Sequence, residues 1–132
     1  MAGYSQTPLP TKLGLREGAT LAVLNGPPGV LTDLPSGVAV KHQARGTADI
    51  VVAFFTKRSL LERRISTLGT MIFPAGGLWI AWPKRSSGVE TDITDNGIRQ
   101  AAIPLGLVDN KVCAIDETWS ALRVVWRRER RV

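Results

Sequence analysis

Short, dense apolar runs alternate along the chain with polar stretches that are broken by glycine and proline. Residues 19–25 (ATLAVLN) are compact and apolar, and Gly26-Pro27-Pro28-Gly29 follows at once. That pairing predicts a buried strand closed by a turn. Residues 49–55 (DIVVAFF) and 78–82 (LWIAW) are near-continuous apolar runs, the pattern of strands covered on both faces. Residues 37–41 predict a further short strand, and residues 30–34 a single helical turn. The period then changes. Leu61, Ile65, Leu68 and Ile72 recur at helical spacing and give one apolar face. Ser59 and Glu62 make an S-x-x-E capping pattern ahead of it, and Pro74, Gly76 and Gly77 end it. A second helix starts at a Thr94 cap, carries Ile98, Ala101, Ala102 and Leu105 on one face, and stops at Gly106. Pro104 disturbs only its last turn. Near the amino end, Ser5 or Thr7 caps a short helix with Pro8 in its first turn and Gly14 just past its end. Residues 107–116 and 121–128 read as two strands joined by Glu117-Thr118-Trp119-Ser120. In the last strand Leu122, Val124 and Trp126 share one face, and Arg123, Val125 and Arg127 the other.

Strands alternating with helices predict a mostly parallel sheet with right-handed crossovers, closed by an antiparallel hairpin. The expectation is a three-layer α/β domain with about six strands, spanning residues 1–132 without repeat or linker. At 132 residues and 44% apolar content the chain can build one small core. No apolar run is long enough for a membrane span, and MAGYSQTPLP lacks a signal pattern, so a cytoplasmic location is expected. A single cysteine, Cys113, excludes an intramolecular disulfide and a Cys-rich zinc site, and the single histidine, His42, excludes any two-His metal site; no metal is expected.

Several segments resemble a small family of uncharacterised bacterial proteins, a domain of unknown function. They are GYSQTPLPTKLGL, DIVVAFF, WPKRSSGVETDIT and PLGLVDNKVCAIDETWSALRVV, which together span nearly the whole chain. The element order resembles the Rossmann-like class I methyltransferase fold, which uses S-adenosylmethionine, with the first half abbreviated. Too few residues lie between Asn25 and Asp49 for two full strand-helix units. The resemblance implies a cofactor turn at Gly26 and Gly29, where glycines let backbone approach a ligand. It also implies an acid after the second strand, by the logic of dinucleotide sites. Pro27 and Pro28 remove two N–H donors from the turn, and Lys41, His42 and Gln43 supply no acid.

Charge adds two further candidates. The net charge is +6, and Arg123, Arg127, Arg128, Arg130 and Arg131 face only Glu129, a candidate nucleic-acid patch. Lys84, Arg85, Ser86 and Ser87 begin a loop beyond a strand's carboxyl end, where anions bind in open α/β sheets. Asp116 and Trp119 could read a ligand from the hairpin connection, or could be turn chemistry and packing. Cys113, mid-strand among apolar neighbours, reads as packing. His42 could act as a general base, but no Ser or Cys stands beside it in sequence. Asp92 and Asp95 fit a helix amino terminus better than a metal pair.

The leading expectation is a non-catalytic binding or regulatory protein, with no cofactor and either a protein partner or a second copy of itself. A minimal S-adenosylmethionine-dependent methyltransferase is the alternative. Nucleic-acid binding through the arginines is a second alternative. No membrane partner is expected.

Overall fold

The computed structural model describes residues 7–132, so Ser5 as a cap lies outside the described residues. Six strands form one sheet: β1 (Thr20–Leu24), β2 (Ala39–Lys41), β3 (Ile50–Phe54), β4 (Gly77–Pro83), β5 (Leu107–Ala114) and β6 (Trp119–Trp126). Their spatial order is β2-β1-β3-β4-β6-β5. The first four are parallel, and β6 runs antiparallel between β4 and β5. This is the α/β sheet with a closing hairpin that the alternation of apolar runs predicts. Among the described residues no helix is long and apolar enough to cross a membrane.

The side-chain period of two divides each central strand between two cores. Ala22, Leu24, Val51, Ala53, Leu78, Ile80, Leu122 and Val124 face one way. They pack under α2 (Arg58–Ile72) and α3 (Asp95–Ala102), whose buried positions include Leu61, Ile65, Leu68 and Ile98. Leu21, Val23, Ile50, Val52, Phe54, Trp79 and Ala121 face the other way. Their cover is thin: α1 (Leu9–Lys12), the Leu13 and Leu15 strap behind it, and an irregular segment carrying Val30, Leu31 and Leu34. The strap is pinned where the buried Trp79 indole donates from Nε1 to the Leu13 carbonyl at 3.0 Å.

Four local expectations need correction. Residues 30–34 are not helical, because five residues cannot repay helix nucleation and Asp33 turns left-handed at φ 55°. α1 begins at Leu9, with Pro8 as the flanking residue and Pro10 inside the first turn. The last strand starts at Trp119 and ends at Trp126, so Arg127 and Arg128 lie beyond it. The fourth concerns the capping pattern. Ser59 sits inside α2 and the flanking Lys57 makes no side-chain cap. The cap comes from across the fold, where Asp92 Oδ1 accepts the Arg58 N–H at 2.7 Å. Glu62 instead pairs with Arg58 Nε at 3.0 Å. Thr94 caps α3 as expected, accepting from Gly97 N at 3.0 Å.

Asp92→Ala should therefore cost about 1 kcal/mol of stability, the usual value of a lost helix cap. Ser59→Ala should stay within about 0.5 kcal/mol of wild type. Urea unfolding of both variants distinguishes the distant cap from the local one.

Candidate functional site

The chain runs from β1 outward to β2, then returns to β3 on the other side of β1. Ligands of open α/β sheets bind beyond the strand ends at such a reversal. Two hollows lie there, of about 430 and 170 Å3, and both are lined by Asn25 and His42. Asn25 leaves β1 in the left-handed region at φ 59° and starts the Gly26–Gly29 turn. The larger hollow has apolar walls, including Val30, Leu31, Leu34 and Val40. The smaller adds Phe55, Arg64 and Leu68. No carboxylate lines either one among the described residues.

The two glycines of the turn serve different ends. A Cβ on Gly26 would lie 3.0 Å from both the Phe54 ring and a Val23 methyl, so this glycine lets the turn sit down on the core. Gly29 has φ 71° and open space around it. Behind the turn, Trp119 meets the Phe54 ring edge-on, with centroids 5.0 Å apart.

His42 follows the last residue of β2 and continues that strand's pairing with its side chain. Its Nδ1 lies 3.1 Å from the Val23 carbonyl. A carbonyl only accepts, so this bond places the neutral ring's proton on Nδ1 and leaves the Nε2 lone pair as an acceptor. The ring can thus offer one acceptor where a carboxylate would offer two.

The other candidates lie apart from these hollows. Lys84, Arg85, Ser86 and Ser87 line neither. Residues Arg85–Ser87 form a 3-10 turn, in which Ser87 Oγ donates to the Lys84 carbonyl at 2.6 Å and accepts from Val89 N at 3.1 Å. Asp116 Oδ1 accepts from the backbone N–H groups of Thr118 and Trp119, both at 2.8 Å, which is Asx-turn chemistry. The arginines sit at the opposite edge of the sheet. Arg123 lies in β6 facing the thin layer, and Arg131 Nε donates to the Trp126 carbonyl at 2.9 Å. Arg128 and Arg130 form a terminal 3-10 turn, and Arg127 is exposed. Cys113 is half-buried, and burial pushes its thiol up against a smaller opposing pull from the Lys12 charge. Among the described residues no group of three or more His, Cys, Asp or Glu is placed to hold a metal. Sequence reasoning missed Arg64, and it set Asp92 at a helix amino terminus without showing that the helix is α2, because both act across the fold rather than along the chain.

No protein-family model and no curated protein matches the chain. Solved structures do match. A SAM-dependent methyltransferase from Aquifex aeolicus superposes with a TM-score of 0.59 at 12% identity, over 86% of this chain and 85% of that one. Magnesium protoporphyrin IX methyltransferase from Synechocystis, with bound SAH, gives 0.58 at 12% identity over 84% and 75%. The ribosomal protein L11 methylase of Lactobacillus delbrueckii gives 0.56 at 12% over 85% and 72%. The fold is therefore that of the class I S-adenosylmethionine-dependent methyltransferases. At these identities the likeness is one of fold.

Gly26→Ala should destabilise by roughly 1–3 kcal/mol, because Phe54 and Val23 are buried and cannot yield. Gly29→Ala should cost about 1 kcal/mol from its left-handed backbone alone. A Gly26→Ala loss below about 1 kcal/mol in urea unfolding would contradict its seating on the core.

Proposed function

We propose that this chain is a minimal methyltransferase that holds S-adenosylmethionine in the crevice shared by the Asn25–Gly29 turn and His42. The observation that carries the reading is the crevice itself, at the β1–β3 reversal of a sheet whose solved neighbours include a methyltransferase with bound SAH and the same protein with bound SAM. The residues present suit such a ligand. Val30, Leu31, Leu34 and Val40 offer apolar walls to an adenine ring. His42 Nε2 can accept from one ribose hydroxyl, in place of the missing acid. Arg64, on the wall of the smaller hollow, is a cation that could meet an amino-acid carboxylate. When bound, S-adenosylmethionine supplies an electrophilic methyl group. The chain's own residues bind and orient, and the turn's two prolines keep it rigid.

A second reading, a non-catalytic binding protein on the same fold, is favoured by the lack of a carboxylate in the crevice and by the two N–H donors that Pro27 and Pro28 remove.

Thermal shift with S-adenosylhomocysteine and S-adenosylmethionine separates the two. At about 100 times its dissociation constant a ligand adds ~2.7 kcal/mol. That raises the melting temperature by roughly 5 °C or more for a domain of this size. His42→Ala should weaken binding about fivefold, the value of one hydrogen bond of ~1 kcal/mol. No shift up to millimolar ligand rejects the methyltransferase and leaves the scaffold reading.

A further inference from the structure

We propose that a second cleft, at the amino-terminal edge of the parallel strands, binds a small ligand carrying two or more phosphate charges. The cleft encloses about 810 Å3, within the usual range for a small-molecule site. It lies at the opposite edge of the sheet from the crevice above, so the inference is independent of the methyltransferase reading.

Four cations line the cleft from two walls. Lys12 and Arg16 come from the end of α1 and the loop behind it, and Lys111 and Arg123 from the closing hairpin. Lys111 and Arg123 are direct cross-strand partners and therefore share a face. Like charges directly opposite each other destabilise a strand pair. Neither is neutralised from within. The ion pairs among the described residues join Arg58 to Glu62 and Arg99 to Asp95 and Asp109, all elsewhere.

Arg123 shows the arrangement most clearly. Its guanidinium lies against Gly77 on the neighbouring strand, where a Cβ would come within 2.5 Å of Nε. Glycine at 77 is thus what allows the guanidinium to lie down on the sheet. Burial first, and then the charge of Arg131, work against its protonated form. A half-buried cation with a like charge acting on it, and with no carboxylate ion pair among the described residues, is stabilised by an external anion. Two acids also line the cleft. Asp49 accepts from Thr20 N at 2.8 Å, Lys12 Nζ donates to the Ala114 carbonyl at 3.0 Å, and Glu17, Arg16 and Lys111 are all exposed. The cations outnumber the acids, so a net positive hollow remains for a ligand of two or more negative charges. A small ligand fits better than a nucleic-acid strand. Single-strand binding stacks successive bases on several open aromatic faces; the cleft wall offers Phe73 alone, 41% exposed and met edge-on by Trp126, while Trp79 is 1% exposed.

The test is calorimetric titration of the full chain with pyrophosphate, at constant ionic strength and with sulfate as control. Saturable binding is expected, weakened about tenfold or more by Arg123→Gln or Lys111→Gln, the effect of one lost charge-assisted hydrogen bond. Arg85→Gln, at the opposite edge, should leave it unchanged. Unliganded Lys111→Gln should melt no lower than wild type, since it relieves a like-charge pair. Three outcomes overturn the proposal: no pyrophosphate binding in the millimolar range, binding indifferent to both cleft variants, or binding of a single-stranded oligonucleotide where pyrophosphate fails.

Discussion

A parallel sheet has to be buried on both faces, and this chain has helices enough for one. α2 and α3 both pack on the same side. The other side is closed by a four-residue helix, a leucine strap and an irregular segment, held by the bond from Trp79 to Leu13. Much of the rest depends on that economy. Irregular chain covers a sheet less evenly than a helix does, so concavities remain on the thin side, at both ends of the strands. One is apolar and sits at the carboxyl ends, and the other is cationic and sits at the amino ends.

The parts of this fold that were legible in the sequence are those written by local periodicity. The strand at Ile50–Phe54 is buried at every position, as its run of valines and aromatics required. The α2 stripe of Leu61, Ile65, Leu68 and Ile72 faces the core, and Thr94 caps α3. What was illegible depended on partners far along the chain. The S-x-x-E pattern at Ser59 had the right spacing, yet Asp92 reaches the helix end first and Glu62 turns to Arg58. The irregular segment at residues 30–34 looked helical because its leucines and valine are apolar, but they are apolar in order to cover β1.

The candidate sites divide the same way. The turn at Gly26 was visible as a motif behind the first strand, and its location at the strand reversal needed the spatial order of the sheet. That Gly26 is held by Phe54, itself backed by Trp119, needed the fold. The arginine-rich end was visible as a charge run. That Arg123 joins Lys12, Arg16 and Lys111 on the wall of a cleft was not, because strand register and α1 docking bring those four together.

The glycine turn also indicates which class of ligand the carboxyl edge can take. In dinucleotide folds the turn opens a helix, whose free N–H groups and dipole receive a phosphate. Here no helix follows Gly29, and Pro27 and Pro28 remove donors that a helix start would have aimed at an anion. The helix starts that do reach this edge are closed by the chain itself, α2 by Asp92 and α3 by Thr94. A crevice with apolar walls, one imidazole acceptor and no spare helix terminus suits a nucleoside without phosphate. The cations of the fold gather instead at the amino ends of the strands, where Lys12, Arg16, Lys111 and Arg123 line one cleft.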